Sequence, residues 1–109
     1  MSADAAQGLS IVIPIYNECE ALSRMEERLW KLKDSAPFPV EFLLVNDGSQ
    51  DGSDAFLARI SPQLATVLKH PQNRGYGAAL KTGIHKAKYA WVCICDADET
   101  YPDEHIAPL

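Results

Sequence analysis

Four short apolar runs, separated by segments of helical periodicity or of turn residues, constrain this chain more than any other feature. They are "LSIVIPIY" (Leu9 to Tyr16), "VEFLLVN" (Val40 to Asn46), the weaker "LATVLKH" (Leu64 to His70) and "YAWVCIC" (Tyr89 to Cys95). Each has the length and the β-branched or aromatic content of a buried strand. After the first run, Leu22, Met25, Leu29 and Leu32 recur at helical spacing, with Arg24, Glu27, Arg28 and Lys31 on the other face. Glu27 and Lys31 stand four apart in the favourable order, and Pro37 and Pro39 close the helix. Ser53 or Asp54 can cap a short helix through Ile60, and Gly75 to Lys88 reads as a longer one. Strands and helices alternating in this way predict an α/β domain with a mostly parallel sheet and right-handed crossovers.

The polar residues are distributed to match. "YNE" follows the first strand, "NDGSQDGS" the second and "DADET" the fourth. In parallel α/β sheets, ligands bind beyond the carboxyl ends of the strands. Independent surface turns need not fall there three times in four, so these clusters point to one shared site.

"WVCICDADETYP" carries the most specific chemistry. Three acids, Asp96, Asp98 and Glu99, stand within four positions at the end of an apolar strand. Their mutual repulsion costs stability unless a cation offsets it. In extended chain, residues two apart point the same way at about 7 Å between Cα atoms. Asp96 and Asp98 can therefore face one divalent ion, and hard oxygen donors suit Mg2+ or Mn2+. A polar turn leaving a strand explains a solitary D-x-D equally well. Asp47 offers an acceptor to a nucleobase N–H or a ribose hydroxyl, or is simply the turn-forming Asp before Gly48. In "NRGYGAALKTG" the glycines at 75, 77 and 83 do not make a G-x-G-x-x-G fingerprint, and the segment precedes the fourth strand rather than following the first. It reads instead as a helix start where Gly75 and Gly77 admit close backbone approach. Ala78, Ala79 and Gly83 let that helix lie against the sheet, and Arg74 either meets phosphate or stays a solvated surface charge.

Composition narrows the function classes. At 109 residues the chain suits one small domain. A net charge of −5 argues against a non-specific nucleic-acid partner. No apolar run reaches the length of a transmembrane helix, and residues 1–8 read as a flexible leader rather than a signal peptide. Three cysteines, an odd number, suit a reducing, cytoplasmic compartment. Cys93 and Cys95 share one strand face as small hydrophobes, without the spacing of a zinc site.

Together, "VIPIYNE", "LLVNDGSQDGS", "NRGYGAALKTGI" and "CDADETYPDE", in this order and at these intervals, resemble family 2 glycosyltransferases. The nearest subgroup is similar to the dolichol- and polyprenol-phosphate sugar transferases. The resemblance runs from Leu9 onward. It implies the GT-A fold, a Rossmann-like three-layer α/β/α arrangement, with residues 9–109 forming the nucleotide-sugar-binding half. By the same resemblance Pro14, Tyr16 and Glu18 line the nucleoside pocket, Asp47 contacts the base, and Asp96 and Asp98 match the DXD-type motif that positions metal and donor diphosphate. Some relatives add a Gln ligand two residues after the second Asp, where this chain has Thr100. The implied partners are a nucleoside-diphosphate sugar and a lipid-phosphate or glycan acceptor, with the full-length protein peripheral to a membrane.

Full-length relatives continue into an acceptor-binding half that carries an acidic general base in inverting members. The chain is therefore expected to be a truncated or excised donor-binding half, without its general base, inactive alone and prone to self-association. A last segment, "PDEHIAPL", begins like a helix, with Pro102 in its first turn. Two other classes compete with this reading. A non-catalytic nucleotide-binding module would bind without transfer. A nucleotidyltransferase would share the sheet but carry a Gly- and Arg-rich loop after the first strand, which is missing.

Overall fold

The computed structural model describes residues 8–97. Along the chain it runs β1 (Leu9–Ile15), α1 (Cys19–Ser35), β2 (Val40–Asp47), α2 (Ser53–Leu57), β3 (Ala65–His70), α3 (Tyr76–Lys86) and β4 (Trp91–Ile94). The sheet order is β3-β2-β1-β4 and every pairing is parallel. The chain thus steps outward from β1 to β3, then crosses back to place β4 on the other side of β1. That reversal makes the carboxyl ends of β1 and β4 the topological switch point, where open α/β sheets bind ligands.

Strand alternation sorts the core into two layers. Ile11, Ile13 and Ile15 of β1, with Phe42 and Leu44 of β2, pack against Leu22, Met25, Leu29 and Leu32 of α1 and Leu57 of α2. The intervening Val12, Leu43 and Val45 pack against Ala79 of α3. The expected three-layer α/β/α arrangement follows from this period of two. α3 lies close because Gly83 is buried on Val12; a Cβ there would stand 2.4 Å from a Val12 methyl. At the amino end of the sheet, buried Ser10 donates to Glu41, which also accepts the Lys88 N–H at 2.7 Å. This pins the turn that delivers β4.

Two differences from the sequence reading have physical causes. α2 ends at Leu57 rather than Ile60, because Arg59 and Ile60 turn to carbonyls only three residues back. Gly8, counted with the leader, is buried against the Tyr89 ring. β4, apolar on both faces, is the outermost strand among the described residues, with Trp91, Val92 and Ile94 exposed. Its inner face behaves as expected, since Cys93 and Cys95 pack on the α1 core and neither is in a disulfide. The "PDEHIAPL" helix and the leader up to residue 7 lie outside the described residues.

Candidate functional site

Two loops at the carboxyl end of the sheet are zipped together before any ligand is considered. Asn17, at φ 53°, accepts the Gln50 N–H at 2.8 Å, while its own N–H donates to Ser49 Oγ at 3.0 Å. Asp51 accepts the Cys19 N–H at 3.0 Å with one oxygen and both Ser53 N–H and Oγ–H with the other. Glu18 stands at the α1 N-cap without a side-chain capping bond. Asp51 therefore caps α1 from the neighbouring loop and starts α2 through its own Asx turn. Ser53 holds the Asp51 carboxyl below the ordinary aspartate range, and the Cys19 and Ser53 amides add to that against a smaller desolvation effect. The second half of "NDGSQDGS" is thus framework.

Asp47 is the hub of the site. It ends β2 on the α3 face, is 3% exposed, and accepts four hydrogen bonds, two on each oxygen. Oδ1 takes His70 Nδ1 at 2.7 Å and the Arg74 N–H at 2.9 Å. Oδ2 takes the Gly75 N–H at 2.9 Å and Asn73 Nδ2 at 3.1 Å. Burial alone pushes this carboxyl upward, but His70 and the two amides outweigh it and hold it below the ordinary range. The carboxylate thereby shapes residues 73–75, the entry to α3. Gly48 beside it sits at φ +74°, and a Cβ there would stand 2.4 Å from the Asn73 nitrogen. Both the backbone conformation and the packing therefore require glycine at 48.

The space bounded by these elements is a cavity of about 420 Å³, lined among others by Pro14, Tyr16, Glu18, Asp47, Tyr76 and Asp96. Five of the six residues expected to touch a nucleotide thus face one volume, within the size range of small-molecule sites. Arg74, the sixth, adjoins it: its N–H is spent on Asp47, while the residue is exposed and is not part of the lining. The β1–β4 ladder ends at Val12–Ile94, two residues short of both Pro14 and Asp96, so these two face each other across the switch point. Sequence reasoning missed Asn73 and Tyr76 in the lining. The 57% exposure of so large an aromatic, one position after a noted glycine, was the available signal for Tyr76 only once α3 had been placed. A larger open groove, about 920 Å³, runs along α2 and β3, but its polar residues Asn46, Asp54 and Lys69 bond one another.

Of the two expected metal carboxylates, Asp96 lines the cavity and Asp98 lies outside the described residues. Among the described residues no three His, Cys, Asp or Glu side chains converge as a metal cluster. Asp47 is already committed to four donors, which leaves Glu18 and Asp96 as the other carboxylates that line the cavity.

A family model described as "Glycosyl transferase family 2" matches residues 10–109. The chain belongs to glycosyl transferase family 2. This family 2 chain is 36% identical over 104 residues to the undecaprenyl-phosphate 4-deoxy-4-formamido-L-arabinose transferase of Serratia proteamaculans. It is 30% identical over 103 residues to the bactoprenol glucosyl transferase of Shigella phage SfV. Each match takes 93% of this chain but 32% and 34% of the relative, so the chain spans about a third of the length of the curated relatives it matches. Among solved structures, the mannosyltransferase PcManGT from Pyrobaculum calidifontis, in complex with GDP-Man and Mn2+, matches with a TM-score of 0.75 at 25% identity. That match covers 89% of this chain and 29% of the other. S. aureus TarS shares the fold at a TM-score of 0.68 and 20% identity, over 90% of this chain and 29% of its own. The parallel α/β sheet of the family 2 chain is therefore the glycosyltransferase GT-A sheet that its four motifs imply. No helix among the described residues is long and apolar enough to cross a membrane.

Proposed function

We propose that this chain is the donor-binding part of a glycosyltransferase that holds a nucleoside-diphosphate sugar and passes the sugar to an acceptor, a polyprenyl phosphate by analogy with its relatives. The observation that carries this reading is the convergence of Pro14, Tyr16, Glu18, Asp47 and Asp96 on one cavity at the switch point. Pro14 and Tyr16 supply apolar walls for the nucleoside. Asp47, its oxygens taken by four donors, shapes the 73–75 rim against which the base or ribose would lie, and the role proposed for Arg74, beside the cavity, is to meet phosphate. Asp96 and Asp98 are the residues that would hold Mg2+ or Mn2+. When bound, the cation supplies Lewis-acid stabilisation of the charge on the leaving diphosphate. A membrane-peripheral location follows from a lipid-linked acceptor.

The test is a thermal-shift panel of UDP, GDP, CDP and ADP with and without Mn2+. At least one nucleotide should raise the melting temperature, and more so with the metal. Asp98→Asn should remove the metal-dependent part of that shift while leaving the apo protein as stable or slightly more so, since it relieves carboxylate repulsion. Absence of any shift for every nucleotide, with or without metal, refutes the donor-site reading. A loss of several kcal/mol in the apo Asp98→Asn protein, as for a broken buried charge pair, would make Asp98 structural.

A further inference from the structure

His70 is a buried titratable group that the proposed chemistry does not use. It ends β3, is 4% exposed, and both ring nitrogens are engaged. Nδ1 lies 2.7 Å from Asp47 Oδ1, and Nε2 lies 2.8 Å from Thr82 Oγ1 on α3. A carboxylate only accepts, so Nδ1 carries the proton. In the neutral ring Nε2 then accepts from the Thr82 hydroxyl. One imidazole thus links the ends of β2 and β3 to the middle of α3, directly behind the cavity.

The geometry points to His70 as the positioning residue of the nucleotide site, a role that rests on the donor-site reading above. The argument follows the bonds outward. Of the four donors to Asp47, the Arg74 and Gly75 amides and the Asn73 side chain belong to the cavity rim itself. Their positions follow from where the carboxylate points, and they cannot also fix it. His70 is the one donor outside that rim. Its ring is held by Thr82 at the far nitrogen, and its strand is paired with β2 at Asp47↔His70. It therefore sets the carboxylate plane, which sets the 73–75 backbone, which presents Gly75 and Tyr76 to the cavity. This is the arrangement by which an outer hydrogen bond orients a ligand-facing carboxylate.

Two readouts test this in the 109-residue chain: amide hydrogen exchange at Arg74 and Gly75, and affinity for the best of UDP, GDP, CDP and ADP with Mn2+. His70→Phe fills the space without a donor. It should deprotect both amides and weaken nucleotide binding about tenfold, the scale of one charge-assisted hydrogen bond. His70→Asn, whose Nδ2 can reach Asp47 as Nδ1 does, should restore protection and most of the affinity while losing the Thr82 bond. If His70→Phe folds and keeps both protection and wild-type affinity, His70 is core packing and the inference is overturned. The same holds if the Phe variant melts earlier yet binds normally, or if Asn restores stability without restoring affinity. A wild-type chain that binds none of the four nucleotides overturns the donor-site reading, and with it the effect on affinity. The exchange data still decide separately whether the ring orders the rim.

Discussion

β2 and β4 are both apolar runs in the sequence and end up in opposite circumstances. Every residue of β2 except Glu41 is buried, flanked by β1 and β3 and covered by helices on both faces. β4 is paired along one edge only among the described residues, and Trp91 is 69%, Val92 39% and Ile94 42% exposed. The contrast extends to the acids that close each strand. Asp47 is locked by four donors, whereas Asp96 is half-buried at the end of the outermost described strand. The side of the cavity proposed for the nucleoside is thus built into the core, and the side proposed for metal and diphosphate stands at its margin. Apolar composition shows that a strand will be covered. It does not show by what.

The largest expected effect breaks or sustains that contrast directly. Asp47→Ala should cost about 3–5 kcal/mol, the range for removing one partner of a buried charged network. It leaves the His70, Arg74 and Gly75 donors without their acceptor. Asp96→Ala should cost less than about 1 kcal/mol, as for a partly exposed group outside such a network. Urea denaturation of the two variants measures both. Equal losses would mean that the β4 end is as firmly built as the β2 end.

A second comparison concerns the two glycine-dependent approaches. Gly83→Ala places a methyl against Val12 in the layer beneath the cavity, and overpacking of this kind costs about 1–3 kcal/mol. Gly77→Ala, on the same helix, meets nothing within 4 Å. Replacing glycine inside a helix should there gain about 0.5–1 kcal/mol from propensity. Opposite signs in the two unfolding midpoints are the expected result. Two destabilised variants would instead place Gly77 under a constraint that its open surroundings do not show.

Acid should act on the β2 end first. The Asp47 and Asp51 carboxyls are held below the ordinary aspartate range in the folded chain. A depressed folded pKa contributes stability that is complete above the unfolded value, about 4, and is lost as pH falls through the folded one. Stability should therefore fall from about pH 4 downward through these two groups. The drop should shrink in an Asp51→Asn background, where one of the two contributions is removed.

The sequence was most informative where one residue's neighbours lie within its own element. The α1 stripe of Leu22, Met25, Leu29 and Leu32 is buried as the helical period requires, and the strand-end clusters do meet at one cavity. It was least informative where meaning depends on a partner far along the chain. Asp51 looked like turn chemistry, yet caps a helix that begins 32 residues earlier. His70 looked like the end of a weak strand, yet bonds Asp47 and Thr82, 23 and 12 residues away. β4 is a case of the same kind, since an apolar run carries no record of which strand lies alongside.

The smallest expected effect on stability belongs to β4 and separates folding from association. Val92 and Ile94 are two residues apart on one face of the strand and are both partly open to solvent. The aliphatic stem of lysine can keep most of their partial cover, so the change in unfolding free energy on converting both to lysine should stay within about 0.5 kcal/mol per site. The same change places charge on an exposed apolar strand, a device that blocks edge-to-edge pairing. We propose that the chain associates with itself through this strand. Light scattering across a concentration series should then show the wild type growing in apparent mass and the Val92→Lys, Ile94→Lys double variant remaining monomeric. A wild type that is monomeric throughout removes the proposed association. A double variant that loses several kcal/mol shows instead that β4 is a covered strand, and that its contrast with β2 does not hold.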